Sequence, residues 1–280
     1  MKKWLIPVIC LVVLILAVTA AIVYFVVFKG TEEERGTFDD ITSWNEDYGA
    51  VEIDTVSKFK ENMFVYFGSY EQDYDKKNGK EPIIWRVLDV EDDKVLLLSE
   101  YVLDKQHYHN TDEAVTWETS ALRLWLNSTF YTEAFSVAER ERVLETVVTT
   151  PDNPQYSTDG GEDTNDFVFV LSLDEVEEYF GINWSYQKMS KCASCGFYLY
   201  NNCKLAAPIT PYADKRAAPY LKGTSNCKHT RYMGAWWLRT PGATEEHVMY
   251  VYYDNLMVVK GDDVYWASAA VRPAIWVSID

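Results

Sequence analysis

The fold of this chain is decided by the stretch IIWRVLDVEDDKVLLL at residues 83–98. Two apolar runs, at residues 83–88 and 94–98, flank a short acidic turn, and this arrangement predicts a β-hairpin. A further strand is expected before the hairpin at residues 63–67, where an apolar run ends at Gly68. This part of the chain is therefore expected to form an antiparallel sheet.

Helical signals follow the hairpin. Apolar residues recur at helical spacing within residues 117–129, which predicts one helix. Two capping boxes, in which a serine and a glutamate three residues later bond each other's backbone N–H, predict further helix starts. They pair Ser136 with Glu139, and Ser172 with Glu175.

More strands are predicted in the second half of the domain, each in a run rich in aromatic or β-branched residues. They occupy residues 167–171, 235–239, 247–253, 256–259 and 270–277. Strands that both precede and follow a group of helices indicate the α+β class. The prediction is an α+β fold with mostly antiparallel sheets and two or three short helices.

Residues 4–28 carry no charged side chain. As a helix they would reach roughly 37 Å at about 1.5 Å per residue, which exceeds the ~30 Å hydrocarbon core of a bilayer. The alternative is a cleaved signal peptide with Thr19-Ala20-Ala21 as its cleavage site. Because the apolar run continues through residues 22–28, an uncleaved signal-anchor is the favoured interpretation.

Flanking charges predict the orientation of this anchor. Lys2 and Lys3 precede it, whereas residues 32–34 are glutamates, so the positive-inside rule places the N-terminus in the cytoplasm. We therefore expect a single-pass plasma-membrane protein whose domain lies outside the cell. Its parts are a cytoplasmic stub and anchor at 1–29, an acidic tether at 30–61 and an extracytoplasmic globular domain at 62–280.

The chain is acidic, with 43 Asp and Glu residues against 26 Lys and Arg and a formal net charge of −17. A surface of this sign repels phosphate backbones, which disfavours nucleic acid as a partner. The expected partners are the lipid bilayer, through residues 4–28, and a glycan or protein of the cell surface.

Six motifs, taken in order, give the chain a family resemblance. They are FGSY at 67–70, IWRVL at 84–88, WETS at 117–120 with Arg123 and Leu126-Asn127, TPYA at 210–213, WWLRTPG at 236–242 and VRPA at 271–274. Together they resemble the bacterial domain-of-unknown-function family 6273 over residues 62–280. That family occurs mainly in Gram-positive anaerobes, often behind a membrane anchor, and the resemblance implies no activity.

A remoter similarity is to C-type-lectin-like domains, including those of formylglycine-generating enzymes. In such domains an arginine near the end of the chain locks a late strand into the core, and the similarity implies that role here. No matched catalytic cysteine pair is present, so the formylglycine-generating activity is not implied. Fold similarity alone does not establish function.

Four cysteines lie close together in the sequence, at Cys192, Cys195, Cys203 and Cys227. Outside the cell they would form two disulfides, each worth about 2–4 kcal/mol. They suit a structural Zn²⁺ equally well, since such a site takes four tetrahedral ligands and His229 is a substitute ligand. A redox Cys-x-x-Cys is a weaker third interpretation. The fifth cysteine, Cys10, lies within the anchor.

Four arginines stand among apolar residues within the motifs, at Arg86, Arg123, Arg239 and Arg272. A buried guanidinium needs carboxylate or carbonyl partners, because an unpaired buried charge is very costly. The favoured role is therefore structural, as buried pairs that fix the register of strands. Arginines that lined a cleft instead would bind an anionic ligand.

Aromatic residues are abundant, with 10 Trp, 20 Tyr and 12 Phe, and most are expected in the core. The strand at residues 247–253 nevertheless carries tyrosines on both faces. Exposed rings stack on sugars and fill protein-binding pockets. Residues 182–233 and the late turns would complete the binding surface. The ligand-binding candidates are Tyr250, Tyr252, Tyr253 and Trp266.

Two weaker metal sites are also considered. His107 and His109 would share one face of an extended segment, although a solvent-facing loop is the plainer interpretation. Oxygen ligands for Ca²⁺ near the late turns match no defined calcium loop. They are Asp254, Asn255, Asp262 and Asp263.

The sequence contains no nucleophile elbow, no phosphate-binding glycine loop and no His-Glu-x-x-His motif, which disfavours an enzyme. The predicted function is a membrane-anchored extracytoplasmic binding domain for a glycan, wall fragment or protein. One alternative is a structural or assembly partner of another membrane protein. A less favoured alternative is an enzyme with a cryptic metal site at the two histidines.

Overall fold

A six-stranded sheet is the centre of the computed structural model, which describes residues 48–191, 198–201, 204–216, 233–266 and 269–280. The strands among these residues are β1 (Val51–Glu52), β2 (Phe64–Tyr70), β3 (Glu81–Val90), β4 (Lys94–Ser99), β5 (Val143–Leu144), β6 (Thr146–Val148), β7 (Thr164–Asp166), β8 (Met189–Lys191), β9 (Tyr198–Tyr200), β10 (Trp236–Pro241), β11 (His247–Val251), β12 (Met257–Asp263) and β13 (Ala274–Ser278). Six of them form the central sheet in the order β1-β2-β3-β4-β13-β5.

The predicted hairpin, β3 with β4, forms the middle of this sheet. Its strands pair antiparallel, with Val87 opposite Leu97. β2 pairs antiparallel with the other edge of β3, where Val65 lies opposite Trp85. The last strand, β13, pairs antiparallel with β4 and places Ile275 opposite Leu97. The beginning and the end of the domain are therefore joined in one sheet.

β1 lies in the segment that the sequence assigns to the acidic tether. It pairs in parallel with β2, and Ile53 just after it is buried. Tyr48 and Phe59 also pack against the core. The described part of the tether, residues 48–61, therefore contributes apolar contacts to the compact unit, which spans Ile41–Asp280.

The strands predicted at residues 235–239, 247–253 and 256–259 are present, and they form a second sheet in the order β10-β11-β12. β10 and β11 pair antiparallel, with Trp237 opposite Tyr250. β11 and β12 also pair antiparallel, with Tyr250 opposite Val258. Two smaller antiparallel pairs, β6-β7 and β8-β9, complete the described sheets.

The strand predicted at residues 167–171 is wrong. This buried stretch makes one isolated bridge to β13, at Phe169, and no ladder. The side-chain Oδ1 of Asn127 accepts hydrogen bonds from the backbone N–H groups of Phe167 and Val168, at 2.8 and 3.1 Å. The Asn127 side chain thus accepts the hydrogen bonds that a neighbouring strand would otherwise accept, and the backbone N–H groups of this stretch are satisfied.

Five short helices occur among the described residues: α1 (Ala121–Trp125), α2 (Tyr131–Ala134), α3 (Val137–Arg140), α4 (Leu173–Phe180) and α5 (Pro211–Arg216). Both predicted capping boxes are confirmed, since the reciprocal hydrogen bonds are present at Ser136 and at Ser172. α4 ends at Gly181, whose φ of 57° is the left-handed conformation that glycine adopts readily.

The single helix predicted at residues 117–129 is interrupted. α1 begins only after Ser120, which caps it, and a π-helical turn, Leu126–Phe130, then leads into α2. Asn127 lies in that turn and its Nδ2 donates to the carbonyl of Val168 at 2.9 Å. The wider turn therefore coincides with the place where Asn127 docks onto the neighbouring segment.

The fold class is α+β with mostly antiparallel sheets and few, short helices, as predicted. In the part of the chain that the structure describes, no helix is long and apolar enough to cross a membrane. Several predictions fall outside that part. They concern the anchor at 4–28 and the cysteine group Cys192, Cys195, Cys203 and Cys227, with His229.

Candidate functional site

Aromatic side chains from β10, β11 and the late turns form a connected group, the late aromatic cluster. The ring centroids of Tyr250 and Trp266 lie 5.1 Å apart, and those of Tyr252 and Tyr253 lie 4.2 Å apart. Tyr250 joins the two pairs, because its ring lies 6.2 Å from that of Tyr252. Trp237 lies 6.2 Å from both Tyr250 and Trp266. The structure thus brings all four ligand-binding candidates together.

Exposure rises across the late aromatic cluster from the core to the surface. Trp237 is fully buried and Tyr250 is 8% exposed, while Tyr252, Tyr253 and Trp266 are half-buried. The indole N–H of Trp237 donates to the backbone carbonyl of Gln106 at 2.9 Å, which fixes the inner ring. The outer rings are therefore supported from beneath, and ordering them on ligand binding would cost little conformational entropy.

Two phenols of the late aromatic cluster, those of Tyr250 and Tyr252, have raised pKa values. Burial, together with the neighbouring Tyr253, raises the pKa of Tyr252 to about 12. Burial also raises the pKa of Tyr250, and the Asp262 carboxylate adds to that shift. A neutral phenol both donates and accepts a hydrogen bond, so the hydroxyls suit a polyhydroxylated ligand.

Two of the late acidic residues considered as calcium ligands accept hydrogen bonds from the backbone. Asp254 Oδ1 accepts the backbone N–H of Leu256 at 3.1 Å, and Asp262 Oδ1 accepts that of Asp263 at 2.9 Å. A side-chain hydrogen bond with Asp112, followed by burial, raises the pKa of Asp263. Within the described residues, these aspartates do not make a three-ligand group.

The two candidate metal-binding histidines bond to different partners. His107 stacks on Tyr265 with ring centroids 4.5 Å apart, and its Nδ1 lies 2.6 Å from the Tyr265 carbonyl. His109 Nε2 lies 3.2 Å from Glu113 Oε1, and its Nδ1 accepts the backbone N–H of Ala121 at 3.3 Å. The structure places no shared ligand group around the pair among the residues it describes.

Two of the motif arginines share one carboxylate. Arg86 donates to Glu100 from Nε at 2.9 Å and from Nη2 at 2.8 Å. Arg272 is completely buried, and its Nη2 lies 3.7 Å from Glu100 Oε2. Arg86 lies in β3, Glu100 directly follows β4 and Arg272 lies just before β13, so the group connects the first hairpin to the last strand.

The other two motif arginines are also paired. Arg239 is 2% exposed and forms a fork with Glu175, in which both N···O distances are 2.6 Å. Arg123 Nε donates to Asp166 Oδ1 at 2.7 Å. Each of the four motif arginines is therefore bonded to or faces a carboxylate of this chain, a geometry that suits structural pairing.

Most of the residues described above lie in a region that matches a known protein family. The family described as "Domain of unknown function (DUF6273)" matches residues 92–279. The chain belongs to this family. No curated protein and no solved structure gives a significant match.

The DUF6273 region includes the late aromatic cluster, the Arg239–Glu175 fork and Arg272. Membership confirms the family resemblance seen in the motifs, over a shorter range than residues 62–280. The motifs at 67–70 and 84–88 precede the matched range. The remote similarity to C-type-lectin-like domains has no support from a matched structure.

A carboxylate group ahead of the DUF6273 region was not singled out by the sequence pattern. Glu71, Asp73 and Glu81 each place one oxygen within 4.8 Å of the others, in and beside the loop between β2 and β3. Their spacing is unremarkable in a chain with 43 acidic residues, so the sequence offered little to distinguish them. Their proximity depends on the path of the loop.

Proposed function

We propose that this chain is a membrane-anchored, extracytoplasmic binding domain that recognises a cell-surface or wall glycan through the late aromatic cluster. The observation that carries the proposal is the rigid, graded exposure of its rings, with Tyr252, Tyr253 and Trp266 half-buried over Trp237. Such amphipathic rings present an apolar face and, for tyrosine, a polar hydroxyl. Both features match the alternating C–H faces and hydroxyls of a sugar.

The location rests on the sequence. The uncharged segment at residues 4–28, with Lys2 and Lys3 before it and glutamates at 32–34 after it, supports an uncleaved anchor with the domain outside the cell. The acidic surface is consistent with a neutral or cationic ligand and disfavours nucleic acid.

A C-type-lectin-like arrangement is part of the proposal. Its support is the position of Arg272, which lies just before the last strand and is completely buried. Its Nε donates to the carbonyl of Ser99 at 2.8 Å, at the end of β4, and thereby links the β13 entry to the central sheet. That is the role expected for a late arginine in such domains.

The test is a thermal-shift screen of the purified full-length chain in detergent against soluble sugars, polysaccharides and wall fragments. A ligand that binds only the folded state raises the melting temperature by mass action. Titration calorimetry with the strongest hit would then compare wild type with Trp266→Ala and Tyr252→Ala. We expect each substitution to weaken binding tenfold or more, as for central aromatic residues of interfaces.

Tyr156→Ala is the matched control, because Tyr156 is 40% exposed and lies outside the late aromatic cluster. Tyr252→Phe keeps the ring and should retain most of the affinity, which separates the contribution of ring stacking from that of the hydroxyl. Absence of any glycan-induced shift would reject the proposal in favour of a protein-assembly role. Equal affinity of wild type and Trp266→Ala would reject the late aromatic cluster as the site.

A further inference from the structure

The loop between β2 and β3 gathers three carboxylates. Asp73 is held in place from two sides: its Oδ1 accepts the backbone N–H of Asp75, and its Oδ2 accepts Asn78 Nδ2, both at 2.6 Å. Glu81 begins β3, and its Oε2 accepts the backbone N–H of Gln72 at 2.7 Å. These bonds turn the loop back on itself, so that its two ends lie side by side.

The spacing of the carboxylates suits one large divalent cation. Glu71, Asp73 and Glu81 each offer one oxygen, and the three oxygens lie within 4.8 Å of one another. Calcium binds oxygen ligands at about 2.3–2.6 Å, so two ligands on opposite sides of the ion are separated by roughly twice that distance. The separation of the three oxygens is therefore compatible with a single Ca²⁺ between them.

An unpartnered buried oxygen points independently to a ligand. Glu71 is 8% exposed, and its Oε1 is buried and has no hydrogen-bond partner. Glu81 is equally inaccessible, at 7% exposure. A buried carboxylate oxygen without a partner is costly, because it loses its hydration and receives nothing in return. A bound cation would provide the missing partner.

Buried charged groups in proteins are normally paired with an opposite charge or bound to a metal. In the part of the chain that the structure describes, no lysine or arginine forms an ion pair with any of the three carboxylates.

We infer that Glu71, Asp73 and Glu81 bind one Ca²⁺, which closes the loop between β2 and β3. Backbone carbonyls and waters would complete the coordination, as in other oxygen-ligand calcium sites, and mM affinity is typical of extracellular modules. The ion would stiffen a loop that also contacts α5, since the backbone N–H of Tyr212 donates to the carbonyl of Gln72 at 2.9 Å. This site is separate from the late aromatic cluster.

The experiment uses the full-length chain, stripped with a chelator and titrated with CaCl₂ or MgCl₂ by calorimetry and by thermal unfolding. We expect about one Ca²⁺ per chain in this site and a melting temperature that rises with Ca²⁺ concentration. Mg²⁺ demands near-octahedral geometry and retains its waters, so its response should be weaker. A response to Mg²⁺ alone would overturn the assignment.

Glu71→Gln tests the site directly, because it keeps the side-chain size and removes the charge. We expect Ca²⁺ binding at least tenfold weaker, and a calcium-free melting temperature no lower than that of wild type, since one repulsive charge is gone. Glu141→Gln is the matched control, because Glu141 is an exposed acid elsewhere that loses the same charge.

Asp73→Asn provides a second variant in case Glu71→Gln perturbs the fold. The proposal is overturned if wild type takes up no Ca²⁺ at mM concentration. It is also overturned if Glu71→Gln and Asp73→Asn, both folded by circular dichroism, bind Ca²⁺ as wild type does. Failure of glycan binding would leave this result unchanged, because the two sites share no residue.

Discussion

Arg272 Nη2 lies 3.7 Å from Glu100 Oε2, and both side chains are almost completely buried. The same carboxylate accepts two hydrogen bonds from Arg86. Arg272 Nη1 has no hydrogen-bond partner, and burial lowers the pKa of Arg272 to about 10. Glu100 is therefore the carboxylate that faces both Arg86 and Arg272 and balances their charge. It connects the first hairpin to the segment that leads into the last strand.

Glu100→Gln should lower the free energy of unfolding by about 3–5 kcal/mol, the loss seen when one partner of a buried ion pair is removed. The amide keeps the shape of the side chain but leaves Arg86 and Arg272 uncompensated. Glu91→Gln is the control, because its ion pair with Lys94 is solvent-exposed and such pairs contribute little. Urea unfolding of both variants provides the measurement, and equal losses would contradict the prediction.

A second prediction concerns two glycines with similar backbone conformations. Gly68 and Gly49 have φ of 68° and 60°, so alanine is strained at either position, by about 1–2 kcal/mol. A Cβ at Gly68 would lie 2.7 Å from the carbonyl oxygen of Ala134, whereas one at Gly49 would meet nothing within 4 Å. Gly68→Ala should therefore cost a further 1–3 kcal/mol, roughly, from overpacking.

Chemical denaturation of Gly68→Ala and Gly49→Ala, measured side by side, separates steric collision from backbone strain. If Gly68→Ala destabilises the protein no more than Gly49→Ala does, Ala134 and its neighbour Phe135 must move to make room for the new methyl group. That outcome would show that β2 and the end of α2 are packed less tightly than the distances indicate.

The sequence predicted those elements whose hydrogen bonds join residues close together in the chain. The capping boxes at Ser136 and Ser172 join residues three apart, and the hairpin of β3 and β4 needs only a short turn. Both could be predicted because a few neighbouring residues determine them. The parallel pairing of β1 and the position of β13 beside β4 could not, because pairing between distant strands leaves no local pattern.

The candidate site shows the same division. The late aromatic cluster was predictable from tyrosines on both faces of one strand, residues 247–253. The partners of the arginines were not, because Glu100, Glu175 and Asp166 resemble any other acid in a chain with 43 of them. The π-helical turn at Leu126–Phe130 also escaped prediction, since its sequence has ordinary helical spacing.

A third prediction concerns Asp166, a fully buried carboxylate that accepts four hydrogen bonds. The donors are Trp117 Nε1, Arg123 Nε, Asn127 Nδ2 and Thr164 Oγ1, at 2.9, 2.7, 3.2 and 2.7 Å. Asp166→Asn replaces one acceptor oxygen by a donor and removes the charge opposite Arg123. We expect a loss of about 3–5 kcal/mol in the free energy of unfolding.

Asp163→Asn controls for the change in net charge, because Asp163 is exposed and lies close to Asp166 in the sequence. Thermal and urea unfolding of the two variants measure the difference. A loss for Asp166→Asn no larger than that for Asp163→Asn would show that the four donors find other acceptors, and that Asp166 does not organise this corner of the domain.

The last prediction is that the protein loses stability above about pH 10. Tyrosines in the unfolded chain ionise near that pH, whereas burial raises the pKa of many of them in the folded state. The unfolded state therefore releases protons first, and stability that is complete below pH 10 is lost as the pH rises. The affected residues are Tyr48, Tyr70, Tyr101, Tyr108, Tyr131, Tyr179, Tyr212, Tyr250 and Tyr252.

Arg272 acts in the opposite direction, because its lowered pKa makes the folded state release a proton before the unfolded state does. One arginine cannot offset so many tyrosines, since each group contributes about 1.36 kcal/mol per pH unit. Urea midpoints between pH 8 and 11, roughly, with tyrosinate absorbance, test the net slope. Tyr108 is buried and donates a hydrogen bond to the carbonyl of Arg239. Tyr108→Phe removes one titrating group and should therefore reduce the slope of stability against pH by about 1.36 kcal/mol per pH unit. Stability that stays constant or rises over this range would contradict the assignment of these phenols to the interior.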